Sequence, residues 1–227
     1  MGNSLNLKNI NRRDCIVLTT AWTLAGISAA SAQAQTMNVK RTGTTVLVLG
    51  DSLSAEYGLK RGSGWVALLE KKLASEKIPA RVINASISGD TTAGGRARLA
   101  ALLASHRPTL VVIELGANDA LRGLPMQQTQ DNLSAMTQAA QAAGAKVLLL
   151  GMQVPPNYGR AYSDRFAQVY VDVARARKTG LVPFMLKGLA DVPDSLKWFQ
   201  PDRIHPLEAA HPLILANVWP ELKKGLP

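Results

Sequence analysis

The sequence predicts an α/β fold, a five-stranded parallel sheet between two layers of helices. Three observations carry that expectation. Five short apolar runs recur along the chain, and most are continuous rather than alternating, as in strands covered on both faces. Segments with helical spacing lie between them. Each of the first three runs also leads into a small, polar, glycine-containing loop. An open parallel sheet gathers ligands at its carboxyl edge, where such loops lie.

The runs fall at 45–49, 81–84, 110–115, 146–151 and 181–184. After the first run, Trp65, Leu68, Leu69 and Leu73 mark the buried face of a helix. Helices are expected at 93–105 and 127–143, the second stopped by Gly144. Phe166, Val169, Tyr170 and Val173 mark the next helical face, and these aromatic and apolar stripes read as core. A last segment, 207–223, has helical spacing and is interrupted by Pro212 and Pro220. No internal repeat or second domain boundary is found.

With 227 residues, 47% apolar and 19% charged, the chain is neither disordered nor collagen-like and has to bury a core of its own. Residues 1–34 stand apart. Lys8, Arg12 and Arg13 precede an apolar stretch starting at Cys15, and Ala30, Ala32 and Ala34 supply two Ala-x-Ala sites. This is the layout of a secretory signal peptide, too short to span a bilayer, with cleavage at Ala32 or Ala34. The Arg12-Arg13 pair is also compatible with twin-arginine export, although the residues after it fit that pattern poorly. The expected organisation is a signal peptide at 1–34, a short extension at 35–43 and a single domain at 44–227. Removing the signal takes away Cys15, the one cysteine, and three of the cations. The remainder stays basic, from a starting charge of +10. Positive charge is densest at Arg175-Ala176-Arg177-Lys178, too dispersed for sequence-specific nucleic-acid recognition; it allows at most transient contact with a membrane surface.

The three loops are Gly50-Asp51-Ser52-Leu53-Ser54, Ala85-Ser86-Ile87-Ser88-Gly89-Asp90 and Gly116-Ala117-Asn118-Asp119. A serine at a strand-to-helix turn exposes its hydroxyl and places its backbone N–H among unpaired donors. A glycine in the neighbouring loop lets the backbone approach a ligand, and an asparagine amide adds a neutral donor. Together they suit an oxyanion. The hydroxyl needs a base. Of His106, His205 and His211, only His205 has an acid at useful spacing, in Asp202-Arg203-Ile204-His205-Pro206. A proline-bracketed turn can fold Asp202 onto the imidazole and fix its tautomer, although Asp-x-x-His alone is more often an ordinary surface turn. His106 reads as a cap at a helix end, and His211 has no acid at matching spacing.

These four blocks, in this order, resemble the SGNH hydrolases (GDSL esterases). Gly50-Asp51-Ser52-Leu53-Ser54-Ala55-Glu56-Tyr57-Gly58, 84–91 and 157–160 are similar to the exported bacterial thioesterase, lysophospholipase and arylesterase branch. The likeness runs over about 44–220. It implies a flavodoxin-like three-layer fold, Ser52 as nucleophile, His205 as general base and acid, and Asp202 as its orienting acid. It also implies an oxyanion hole from Ser52, Gly89 and Asn118, with no metal or organic cofactor. Asp51 adjoins Ser52, but the family pattern does not use it as the triad acid. The chain departs from the branch at Ala117, where a second glycine is common, and at Arg203, which brings a cation beside the triad.

In the family, the region matching 121–125 borders the acyl pocket. Leu121 and Leu124 there either touch an alkyl chain or pack under the loop. The expected function is an exported, periplasmic or secreted, monomeric serine hydrolase of acyl esters and thioesters, its substrate a small molecule or lipid. The rival readings are a carbohydrate O-acetylesterase with the same triad and a non-catalytic anion-binding module. A dinucleotide-binding reading is weaker, because no Gly-x-Gly-x-x-Gly follows the first run.

Overall fold

A computed structural model of the chain describes residues 43–226. The expected signal peptide and nearly all of the extension lie outside the described residues. Five strands form one parallel sheet in the order β2-β1-β3-β4-β5. They are β1 (Thr44–Gly50), β2 (Ala80–Asn84), β3 (Leu110–Glu114), β4 (Lys146–Leu150) and β5 (Gly180–Val182). Helices α1 (Trp65–Ser75) and α6 (His211–Gly225) pack together on one side. Helices α2 (Thr92–His106), α4 (Met126–Ala142) and α5 (Arg160–Arg177) form the other layer. The short α3 (Ala117–Leu121) follows β3.

The continuous apolar runs are the buried strands, as the sequence implies. Val46, Leu47, Val48 and Leu49 of β1 and Val111, Val112 and Ile113 of β3 have no exposed surface. Trp65, Leu69 and Leu73 of α1 and Phe166, Val169, Tyr170 and Val173 of α5 turn into the same core. Burial of this apolar surface is the main favourable term holding the layers together.

The structure differs from expectation in three places. Strand β5 ends at Val182 because Pro183 has no N–H to continue the ladder. The third loop, expected at 116–119, gives way after Gly116 to a short helix, Ala117–Leu121. Pro212 does not interrupt the last helix but sits in its first turn, where N–H groups have no partner in any helix. Pro220 stays inside α6, whose opposite face is held by Ile214, Val218 and Leu222.

Candidate active site

Adjacent strands β2, β1 and β3 bring the three polar loops to one edge of the sheet. The Ile87 N–H donates to Gly50 O at 3.0 Å, tying the second loop to the first. Beyond β1 the chain turns sharply. Asp51 Oδ1 accepts the Leu53 N–H at 3.0 Å, and Asp51 O accepts the N–H groups of Ser54 and Ala55. This turn leaves Ser52 partly exposed while Asp51, Leu53 and Ser54 are buried.

Ser52 faces a loop from the other end of the chain. Its Oγ lies 2.8 Å from His205 Nε2, across 153 positions of sequence. His205 Nδ1 lies 2.7 Å from Asp202 Oδ2. The second carboxylate oxygen of Asp202 accepts the N–H groups of Ile204 and His205 at 2.9 and 3.0 Å. The turn is closed by the Gln200 N–H on His205 O at 2.7 Å and by an antiparallel bridge between Phe199 and Pro206. Burial alone would raise the Asp202 pKa. The N–H groups of His205 and Ile204 and the imidazole outweigh it and bring the pKa down to about 2. Arg203 takes a left-handed φ of 59°. Its side chain makes no ion pair among the described residues.

The expected oxyanion donors occupy the same edge. The N–H groups of Ser52 and Gly89 donate to no group among the described residues. Gly89 has a φ of 78°, and its carbonyl accepts from Arg122 at 2.7 Å. Asn118 Nδ2 donates to Asp51 Oδ2 at 2.9 Å and to Asp90 O at 3.0 Å, so both its N–H bonds are engaged. Asp51 therefore orients Asn118 and makes no hydrogen bond to His205. Asp119 is buried, and its carboxylate accepts from the Thr92 N–H at 2.8 Å and from Thr129 Oγ1 at 3.3 Å. It fastens α3 to the start of α2 and to α4. Leu121 is exposed and Leu124 is half-buried.

The other two histidines stand apart from this constellation. His106 ends α2. His211 is buried at the start of α6, and its Nδ1 accepts the Trp65 N–H at 3.0 Å. It thereby caps α1, and burial lowers its pKa.

Three supporting residues escaped the sequence reading. Glu114, the last residue of β3, is fully buried. Its Oε2 accepts the Asp51 N–H at 3.2 Å and the Ser54 hydroxyl at 2.7 Å, and Ser54 Oγ accepts the Trp65 indole N–H at 3.1 Å. Its Oε1 has no partner among the described residues. Burial and the neighbouring Asp51 charge push its pKa well up, and burial raises Asp51 to about 6. A lone acid in an otherwise apolar run was the available signal. Arg98 of α2 reaches Asp90, Ala85 O and Gly50 O, joining the first two loops. Tyr57 lies over His205, with ring centroids 4.2 Å apart and planes inclined by 37°.

A hydroxyl, an imidazole and a carboxylate in relay beside unpaired N–H groups form a device for acyl transfer. No group of three His, Cys, Asp or Glu suited to a metal occurs among the described residues.

Residues 48–213 match the family model of the GDSL-like lipase/acylhydrolases. The chain is 59% identical over 179 residues to the esterase TesA of Pseudomonas aeruginosa, covering 79% of this chain and 88% of that protein. It is 44% identical over 170 residues to thioesterase 1/protease 1/lysophospholipase L1 of Escherichia coli K12, covering 75% and 79%. Among solved structures it superposes on the psychrotrophic esterase EstA of Pseudoalteromonas sp., inhibited by monoethylphosphonate, with a TM-score of 0.75. Identity there is 42%, over 80% of this chain and 97% of that one.

Proposed function

From the premise that this chain belongs to the GDSL-like lipase/acylhydrolase family and hydrolyses carboxylic esters and thioesters, we propose that it does so through an acyl-enzyme on Ser52. One observation carries the reading: the unbroken relay from Ser52 Oγ to His205 Nε2 at 2.8 Å and from His205 Nδ1 to Asp202 at 2.7 Å. Ser52 attacks the carbonyl as His205 takes its proton. Asp202, ionised at any ordinary pH, holds the imidazole in the tautomer that accepts at Nε2 and stabilises the cation that forms. The oxyanion is held by the Ser52 and Gly89 N–H groups and by Asn118, which turns one N–H from Asp90 O toward the new charge. Each such donor contributes about 3 kcal/mol. His205 then protonates the leaving alcohol or thiol, and water repeats the sequence to release the acid.

Leu121 and Leu124, on the segment leaving α3, are assigned to the acyl chain. Their apolar character favours acyl esters over sugar acetates. The protein acts as a monomer on small-molecule and lipid esters, outside the cytoplasm, after removal of residues 1–34. Its positive charge gives it at most passing contact with anionic membrane surfaces. The test is labelling with a fluorophosphonate and mass mapping of the modified residue. The adduct is expected on Ser52, and Ser52→Ala with wild-type turnover of a chromogenic ester would overturn the assignment. Acetyl and octanoyl nitrophenyl esters then decide the substrate class. A strong acetyl preference favours the carbohydrate O-acetylesterase reading.

A further inference from the structure

We propose that Tyr57 is a positioning residue for the general base: the face of its ring keeps the His205 imidazole aligned between Asp202 and Ser52. The inference rests on the reading of Ser52 and His205 as nucleophile and base.

The two hydrogen bonds of His205 lie in the plane of its ring, one through Nδ1 and one through Nε2. Neither opposes rotation of the ring about the line joining its two partners. The terminal torsion of a histidine is broad, so the side chain's own preference does not supply that restraint. A second ring against the face does. Tyr57 stands there, with centroids 4.2 Å apart. A ring face next to an imidazole also favours the cation that forms when the serine proton is taken.

The surrounding chain is built to hold this ring in place. Glu56 adopts a left-handed φ of 60°, and its carboxylate accepts the N–H groups of Gly62 and Gly64 at 2.8 to 3.0 Å. That closes the segment that presents Tyr57. Gln200 then joins the two loops. Its Nε2 donates to Tyr57 O at 2.9 Å and to Pro206 O at 3.2 Å, while its backbone N–H donates to His205 O at 2.7 Å. The approach is so close at Gly58 that a Cβ there would lie 2.2 Å from the Gln200 amide oxygen. One glutamine thus sets the spacing between the turn that carries the nucleophile and the turn that carries the base.

Tyr57 is 49% exposed and contributes little to the core. Its hydroxyl has no partner among the described residues. The ring, rather than the hydroxyl, is therefore the working part, and phenylalanine should replace it.

The experiment measures kcat and KM of the full chain on a soluble nitrophenyl ester for Tyr57→Phe, Tyr57→Leu and Ser52→Ala. Turnover of the tyrosine variants is normalised to the sites that a fluorophosphonate titrates, so misfolded molecules are not counted. Tyr57→Phe is expected to keep at least about half of kcat, while Tyr57→Leu, apolar and of similar bulk, loses about ten-fold with KM within about two-fold. The proposal is overturned if Tyr57→Leu keeps wild-type kcat, if Tyr57→Phe falls as far as Tyr57→Leu, or if the loss lies in KM alone. Full activity in Ser52→Ala would instead bring down the reading beneath it.

Discussion

Replacing Glu114 by glutamine removes a proton that the folded chain keeps and the unfolded chain gives up. The carboxyl is wholly buried under the Ser52 turn, and burial with the adjacent Asp51 charge raises its pKa well above 4.5. In the unfolded chain it ionises near that ordinary value. Above it, the native state binds one more proton than the unfolded state, so stability falls as pH rises. The slope is about 1.4 kcal/mol per pH unit for as long as the buried carboxyl stays protonated. Asp51 adds to the loss. Burial lifts it from 3.8 to about 6, and at ~1.4 kcal/mol per unit this costs roughly 3 kcal/mol across that interval. Glutamine keeps an acceptor for the Asp51 N–H and the Ser54 hydroxyl and has no proton to release. Denaturant unfolding, followed by tryptophan fluorescence at a series of pH values, compares the two proteins. Above about pH 4.5 the Glu114→Gln variant should gain on the wild type by about 1.4 kcal/mol per unit. Parallel stability curves would mean that the carboxyl is ionised in the native state and would refute this account of the site.

Asp202→Asn retains an oxygen for the Ile204 and His205 N–H groups but presents an amide N–H to Nδ1, so kcat should fall by roughly 10³ to 10⁴ with little change in KM, read by steady-state kinetics. The depressed pKa of Asp202 stabilises the fold above its unfolded value of 3.8 and loses that effect as pH drops toward about 2, so kcat/KM profiles should show no Asp202 inflection above about pH 4. Asn118→Ala should lower kcat by about 10² to 10³, the cost of one oxyanion donor. Tyr170→Phe deletes a buried bond to Leu115 O of 3.0 Å and should cost about 1–2 kcal/mol in a denaturant melt while leaving kcat unchanged.

The sheet was legible because both-face burial writes itself as unbroken apolar runs, and the loops beyond β1, β2 and β3 were legible because a reacting edge needs small residues there. The Asp202 to His205 pairing could be framed from spacing, since a proline-bracketed turn is local. What stayed hidden depends on contacts between distant parts of the chain. Glu114 was absorbed into an apolar run, because nothing local says that an acid is kept neutral by its surroundings. Tyr57 belonged to a quoted motif, yet its role appears only when a turn near residue 200 folds onto it. His211 looked idle beside a proline, and it caps a helix whose start lies 146 positions earlier. The short α3 was missed because five residues are too few to show a period.

The order in which the parts of the relay leave the ribosome follows from the 153 positions between Ser52 and His205. The proposed nucleophile and oxyanion donors are laid down with β1, β2 and β3, whereas the proposed acid and base come together later, on the single turn closed by Phe199 and Pro206. A nascent polypeptide that lacks the second turn therefore holds an unactivated alcohol and has no base with which to turn over an ester. On that proposal, competence arrives in one step, once the turn of Asp202 and His205 has been made, and removing that turn should silence the enzyme even where every proposed oxyanion donor survives.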